Sequence, residues 1–198
     1  MAEVTRGAAN VNINRFKERL RGGGARPNLF EVVLDIPGGV GVQSPAEVQR
    51  SARFLVKAAA LPASNLGVVE VPFRGRQLKV AGDRTFDTWT VTVINDTDFR
   101  IRSAMEAWSN SINNNYTNIG IQDPADYQSD AFVYQLDRQE RVLRGYKFFG
   151  IFPTNVSQID LAFDTNDTIE EFTVEFQVQW WQAEGGELGG EDVGGANF

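Results

Sequence analysis

The run EFTVEFQVQWW at residues 171–181 constrains the fold more than any other segment. Its large apolar side chains alternate with polar ones, and a period of two places alternate side chains on opposite faces of a strand. The apolar members are Phe172, Val174, Phe176, Val178 and Trp180, and the polar members are Thr173, Glu175, Gln177 and Gln179. This segment therefore predicts a β-strand with one buried face and one polar face.

Similar alternation recurs along much of the chain. Trp89, Val91 and Val93 form the apolar face of a strand predicted at 85–94, whose opposite face is made of threonines. Further strands are predicted at 30–36, 52–60, 67–80, 130–137, 141–152 and Ile159–Phe163, and the Gly- and Pro-rich residues 37–50 are predicted to form a loop. The two strands within 67–80 turn at Arg74-Gly75. The pattern is that of a mostly antiparallel β protein.

One segment has helical spacing instead. Between residues 98 and 112, five apolar side chains follow the stripe of an amphipathic helix, namely Ile101, Ala104, Met105, Trp108 and Ile112. A short basic helix is also predicted at 11–21. We therefore expect a mainly β fold, an antiparallel β-barrel or sandwich with one flanking α-helix. Three regions are predicted: a basic arm (1–24), the β domain (25–182) and an acidic, Gly-rich tail (183–198).

The absence of Cys and His narrows the possible functions. Without Cys there is no disulfide, thiolate nucleophile or Cys-ligated metal, and without His the commonest general base and metal ligand is missing. We predict a protein that is not an enzyme and that has no catalytic, cofactor or metal site. No apolar run approaches the ~20 residues of a membrane-spanning helix. The first residues lack the apolar region of a signal peptide, so we expect no membrane anchor.

Charge is distributed unevenly. The net charge is −7 overall, +4 over residues 1–30 and −10 over residues 151–198, which contain no Lys or Arg. This asymmetry indicates head-to-tail association or an acidic surface; for residues 184–198 we favour a solvated tail. Four basic residues, Arg74, Arg76, Lys79 and Arg84, cluster near Phe73 and Phe86. They could bind nucleic acid, but nearby acidic residues favour a subunit interface with an acidic neighbour.

Two other clusters have weaker interpretations. The glycines of 38–41 lack the Lys and Ser/Thr of a phosphate-binding P-loop, so a plain loop is the better interpretation. The acidic residues of 164–171 lack the spacing of an EF-hand, so a solvated turn is favoured over a calcium site.

Several segments resemble one family. ARPNLFEV at 25–32, Leu61-Pro62-Ala63, the run from VAGDRTFDTWTVTV to SNSI at 80–112, and FPTNVSQIDLAFDTNDTIEEFTVEFQVQWW at 152–181 are similar to the tail tube proteins of contractile-tailed bacteriophages. The resemblance covers about residues 25–181 in order. The arm at 1–24, the loop at 37–50 and the residues after Gln182 depart from the family pattern.

The resemblance implies a fold shared with the tubes of type VI secretion and other contractile injection machines. It implies hexameric rings in which strands of each protomer join a shared barrel, stacked into a hollow tube within a sheath. It also implies contacts with baseplate and tail terminator proteins, and a virion location after folding in the host cytoplasm. Genomic DNA would pass through without specific binding. Strands with one apolar and one polar face suit such a closed barrel.

A conduit for DNA needs walls that do not attract phosphates. The candidates for the lumen are the polar residues of the two clearest strands: Thr88, Thr90, Thr92, Glu175, Gln177 and Gln179. An outer or covered surface is the equal alternative for each of them. Two other functions stay open: the tube of another injection machine, and a β-barrel that binds a small ligand or acts on carbohydrate. The hairpin at 67–80, the loop at 37–50 and the basic arm are candidates for contacts between subunits and rings.

Overall fold

The computed structural model describes residues 12–20 and 24–185. The helices are α1 (Ile13–Arg19), α2 (Pro45–Leu55), α3 (Arg100–Ile112) and α4 (Pro124–Tyr127), with a 3₁₀ turn at Gly38–Val40. The strands are β1 (Phe30–Leu34), β2 (Val56–Ala59), β3 (Ser64–Phe73), β4 (Arg76–Phe86), β5 (Trp89–Ile94), β6 (Ser129–Leu136), β7 (Val142–Val156), β8 (Glu171–Gln177) and β9 (Trp180–Gly185). The basic arm and the acidic tail lie partly outside these residues.

Two antiparallel layers share the long strand β7. Its first part pairs with β6 and β9, and β6 pairs with β1; these strands form layer A. Its last residues, from Phe152 to Val156, pair with β8, which pairs with β5 and then β2 to form layer B. Gly150, at φ +60°, lies where β7 passes from one layer to the other. The fold is thus a sandwich, as predicted, and its sheet is not closed into a barrel.

The core lies between the two layers and is dominated by aromatic residues. Trp89 of β5 stacks on Phe148 of β7 with ring centroids 4.7 Å apart. The ring of Phe176, on the paired strand β8, lies 5.4 Å from that of Trp89. All three side chains are buried. Burying rings of this size contributes strongly to the hydrophobic stabilisation of the fold.

Helix α3 confirms the predicted stripe. Ile101, Ala104, Met105 and Trp108 are buried, and the indole Nε1–H of Trp108 donates to the carbonyl oxygen of Tyr127 at 2.8 Å. That hydrogen bond ties the helix to the short α4. A buried indole N–H that has an acceptor avoids the cost of an unsatisfied donor.

A second core helix, α2, contradicts the prediction of a loop at 37–50 followed by a strand at 52–60. The strand is limited to Val56–Ala59. Val48 and Ala52, one helical turn apart, are both buried against the core, whereas Phe54 is 84% exposed. Spacing by four residues, not by two, therefore decides which side chains are buried here. Two core helices flank the sandwich rather than one.

The connection between β7 and β8 also differs from the prediction. No strand forms at Ile159–Phe163, and Leu161 and Phe163 are fully or largely exposed. The final predicted strand is real but interrupted: β8 ends at Gln177, and the chain crosses to layer A before β9 begins at Trp180. No helix in the described residues is long and apolar enough to span a membrane.

Candidate assembly surfaces

The hairpin β3–β4 forms its own two-stranded sheet, separate from the layers. Its turn at Arg74-Gly75, with φ of +45° and +80°, was predicted, but its strands extend to Ser64 and Phe86. Seven large apolar side chains on it are exposed: Leu66, Val68, Val69, Val71, Phe73, Leu78 and Val80. Seven exposed apolar side chains on a single hairpin are unusual for a monomeric protein. The hairpin therefore has the character of an interaction surface.

The four basic residues predicted for a subunit interface all lie on this hairpin. The guanidinium of Arg74 packs over the ring of Phe73 at 5.5 Å, and Arg76 pairs with Phe73 across the turn. Lys79 approaches Glu70 at 3.6 Å. Within the described part of the chain, Arg74, Arg76 and Arg84 make no ion pair. Their charges remain available to a partner.

The connection at residues 157–171 has the opposite charge. It contains Asp160, Asp164, Asp167, Glu170 and Glu171 and no basic residue. Three large apolar side chains are exposed on it as well: Leu161, Phe163 and Ile169. The connection thus resembles the hairpin in exposing apolar side chains and complements it in charge. The two segments lie far apart in the sequence.

The predicted lumen residues are only partly brought together. Thr90 lies directly opposite Glu175, and Thr92 lies opposite Thr173, on the face of layer B that points away from the core. Gln177 continues this face, opposite Phe152. Thr88 and Gln179 are exposed in the connections that precede β5 and follow β8. Four of the six candidates therefore share one polar surface.

Layer B has two strand edges that pair with nothing else in the described residues. One is β2, and the other is the last part of β7. Because every neighbouring pair in this layer is antiparallel, β2 and the last part of β7 run in opposite directions. A second copy placed beside the first would therefore continue the antiparallel order. Unpaired edges of this kind favour strand pairing between chains.

Between the two layers, the described residues leave no room for a ligand. The space lined by Val32, Trp89 and Phe176 between the layers amounts to about 10 Å³, which is about the size that holds one water molecule. A barrel that encloses a small molecule needs a far larger cavity. Among the described residues, no three Asp or Glu side chains come together in a way that could hold a metal ion.

Two titratable groups of the described residues have a clearly shifted pKa. Burial, followed by the charges of Glu184 and Glu31, raises the pKa of Tyr134. The pKa of Asp137 is lowered, chiefly because the backbone N–H of Arg141 donates to its carboxylate. Both shifts arise from ordinary packing and turn contacts in layer A.

The fold is similar to that of chains in solved structures of contractile injection systems. The sheath–tube complex of an extracellular contractile injection system contains a similar chain, with a TM-score of 0.60 and 11% identity, covering 88% of this protein and 99% of that chain. The tube-terminating cap of the anti-feeding prophage contains another, with a TM-score of 0.61 and 15% identity over 82% of this protein and 91% of that chain. At these identities the likeness concerns the fold.

Sequence comparison identifies the family. The model of the phage tail tube protein family matches residues 25–184. The tail tube protein gp19 of Enterobacteria phage T4 is 35% identical over 159 residues, 80% of this chain and 91% of that relative. The tail tube protein of Serratia phage KSP90 is 28% identical over 169 residues, 84% of this chain and 94% of that relative. The chain belongs to the phage tail tube protein family, which confirms the predicted resemblance.

Proposed function

We propose that this protein is the subunit of the tube in a contractile phage tail. Hexameric rings of it stack into a hollow conduit that lies within the sheath, contacts baseplate and terminator proteins, and delivers genomic DNA to the host. Copies are made in the host cytoplasm, and the protein acts in the virion as a structural component rather than an enzyme. The 35% identity to a phage tail tube protein over most of both chains supports a phage tail over other injection machines.

The observation that carries ring formation is the pair of open edges in layer B. Side-by-side copies join β2 of one to the last part of β7 of the next, and the antiparallel order continues without a break. Because the joined surfaces differ, the contact is heterologous. Such a contact closes into a ring when the rotation that relates neighbouring copies fits a whole number of times into a full turn. Closure removes both edges.

A second contact joins the β3–β4 hairpin of one copy to the acidic connection at 157–171 of another. The hairpin contributes Arg74, Arg76, Lys79 and Arg84, and the connection contributes the carboxylates of Asp160, Asp164 and Asp167. The other two acids, Glu170 and Glu171, already contact Asn95 and Lys57 of the same chain. Both also expose large apolar side chains. Apolar burial supplies the affinity of such a contact, while opposite charges supply its specificity and rate of formation.

Disulfide trapping tests the ring. Ala58 lies on the exposed part of β2 and Asn155 on the exposed part of β7, and the native chain has no Cys to interfere. The double variant Ala58→Cys, Asn155→Cys, oxidised after assembly, should give a ladder of linked subunits that ends at the hexamer. Electron microscopy of the same sample should show rings or tubes.

Each single-Cys variant is the matched control and should yield dimers at most. A double variant that assembles into tubes but forms no ladder would show that these edges do not meet. Monodisperse monomers under every assembly condition would contradict the tube function itself.

A further inference from the structure

A cleft rich in arginine lies at one end of layer A, away from the surfaces above. It has a volume of about 490 Å³ and is lined by the segment leading into β1 and by the turn between β6 and β7. Four of its residues are Arg26, Arg138, Arg141 and Arg144, which we call the arginine cleft. Its one acidic lining residue is Asp137. The cleft therefore carries a surplus of positive charge.

Asp137 is already fully engaged. It accepts two hydrogen bonds from the guanidinium of Arg141, at 2.7 and 2.9 Å, and two more from the backbone N–H groups of Gln139 and Arg141. This arrangement holds the β6–β7 turn and neutralises Arg141. It leaves no free carboxylate in the cleft for the other three arginines.

Those three arginines have no carboxylate partner among the residues described. Neither Arg26, Arg138 nor Arg144 makes an ion pair there. Arg144 instead packs its guanidinium over the ring of Tyr146 at 5.6 Å, and its Nε–H is buried without an acceptor. A buried donor without an acceptor is costly, so a native protein usually supplies one.

The course of β9 indicates where such a carboxylate comes from. β9 runs antiparallel to β7, from Trp180 opposite Phe149 to Gly185 opposite Arg144. The chain therefore leaves β9 beside Arg144, heading toward the turn that contains Arg138. The next residues, 186–198, contain three acids and no base: Glu187, Glu191 and Asp192. An extended chain spans roughly 3.5 Å per residue, so a side chain two residues past Gly185 has a reach of about 7 Å from it.

We propose that the arginine cleft binds the carboxylates of this protein's own segment 186–198. Glu187 pairs with Arg144, and Glu191 or Asp192 pairs with Arg138 and Arg26. Guanidinium groups bind carboxylates in paired, directional hydrogen bonds. The tether favours the chain's own segment, because a short linker gives an effective concentration in the millimolar range.

Disulfide trapping in the full-length, unassembled protein tests this proposal. Gln139 lines the cleft, and Leu188 lies next to Glu187. In the double variant Gln139→Cys, Leu188→Cys, we expect an intramolecular disulfide, seen as a monomer of altered mobility on a non-reducing gel. The control is Gln43→Cys, Leu188→Cys, since Gln43 lies past the other end of β1. The cleft pair should form its disulfide on the order of tenfold faster than the control.

Charge variants separate specific binding from chance contact. Adding Arg26→Glu and Arg138→Glu to the trapping variant should bring its rate down to that of the control, and the further changes Glu187→Arg and Glu191→Arg should restore it. About 1 M salt should also slow trapping, because it shortens the range of charge attraction to roughly 3 Å. Equal rates for the cleft and control pairs, or disulfide-linked dimers in place of monomers, would overturn the proposal. Because the protein is unassembled throughout, either result leaves the tube function untouched.

Discussion

At the scale of single residues, the two fully buried tryptophans differ in one hydrogen bond. Both side chains have 0% exposure. The indole N–H of Trp108 has an acceptor at 2.8 Å, whereas that of Trp89 is buried without a partner in the described structure. Sequence pattern places both in the core but cannot show this difference. The difference depends on the position of Tyr127, which belongs neither to the strand pattern of Trp89 nor to the helical stripe of Trp108.

This difference predicts unequal costs for the same substitution. Trp108→Phe removes a donor from the carbonyl of Tyr127, whereas Trp89→Phe removes a donor that has no acceptor. The lost volume is the same, so Trp108→Phe should lower the free energy of unfolding by about 1–3 kcal/mol more than Trp89→Phe. Chemical denaturation of both variants measures the difference, and equal losses would contradict the assigned hydrogen bond.

The turn of Asp137 predicts a pH effect. The pKa of this carboxylate is lowered in the folded protein, so its charge stabilises the fold above the unfolded pKa, roughly 3.9. That contribution is lost as the pH falls through the folded value. Asp137→Asn should therefore lower the melting temperature at pH 7, and the gap from the native protein should close in strong acid. A gap that stays constant with pH would indicate that the charge has no part in the turn.

At the scale of elements, prediction succeeds where one period dominates a segment. The alternation at 172–178 and the stripe of α3 correspond to observed elements because their apolar residues are large and regularly spaced. Helix α2 was missed because Phe54, Val56 and Ala58 mimic a strand across its C-terminal end. Ser44-Pro45, with Glu47 after them, is a helix-start signal that could have revealed it.

If residues 45–55 form a helix, two substitutions in it should have effects on stability that a strand would not produce. Val48 is buried and Phe54 is 84% exposed. Val48→Ala should cost roughly 2 kcal/mol through lost burial and a small cavity, while Phe54→Ser should change stability by less than about 0.5 kcal/mol. Thermal unfolding of the two variants measures these losses. If a strand ran through residues 52–60, Phe54→Ser would be the more destabilising change and Val48→Ala the milder one.

The hairpin should matter for assembly and not for folding. Arg74→Gln combined with Arg76→Gln removes two exposed charges without an ion-pair partner in the described structure. Stability of the monomer should change by less than about 0.5 kcal/mol, and tube formation should slow and lose its dependence on salt. Arg50→Gln, at a side chain that is 73% exposed on α2, is the control. Assembly rates that match this control would remove these arginines from the interface.

For the molecule as a whole, the sequence indicates a β sandwich with charge separated along the chain, but not where the charges lie. The basic and acidic ends suggest opposite poles, yet Gly24 lines the same cleft that β9 reaches at Gly185. Both terminal segments therefore leave from one end of layer A. Chain order alone could not show this. It depends on the strand pairing, which brings both the first residue of β1 and the last residue of β9 next to the β6–β7 turn.

The polar face of layer B carries a prediction about DNA. Glu175 lies at its centre, opposite Thr90. If this face lines the tube, Glu175→Lys places a ring of positive charge along the path of the phosphates and should lower DNA delivery on the order of tenfold. Glu175→Gln is the control and should deliver normally. Particles with normal tails are counted by electron microscopy and delivery by infectivity; normal delivery by the Lys variant would exclude a lumenal Glu175.

The sharing of β7 between the layers also sets the order in which the chain can acquire structure during synthesis. β5 can pair with β2, and β7 with β6, but their second edges are completed only by β8 and β9, which are the last strands described. The β3–β4 hairpin needs only its own neighbouring residues and can pair as soon as it is made. Its apolar surface therefore exists on the ribosome before the rest of the molecule. Charged residues at the tip of the hairpin, such as Arg74 and Arg76, disfavour pairing between exposed strand edges of separate chains.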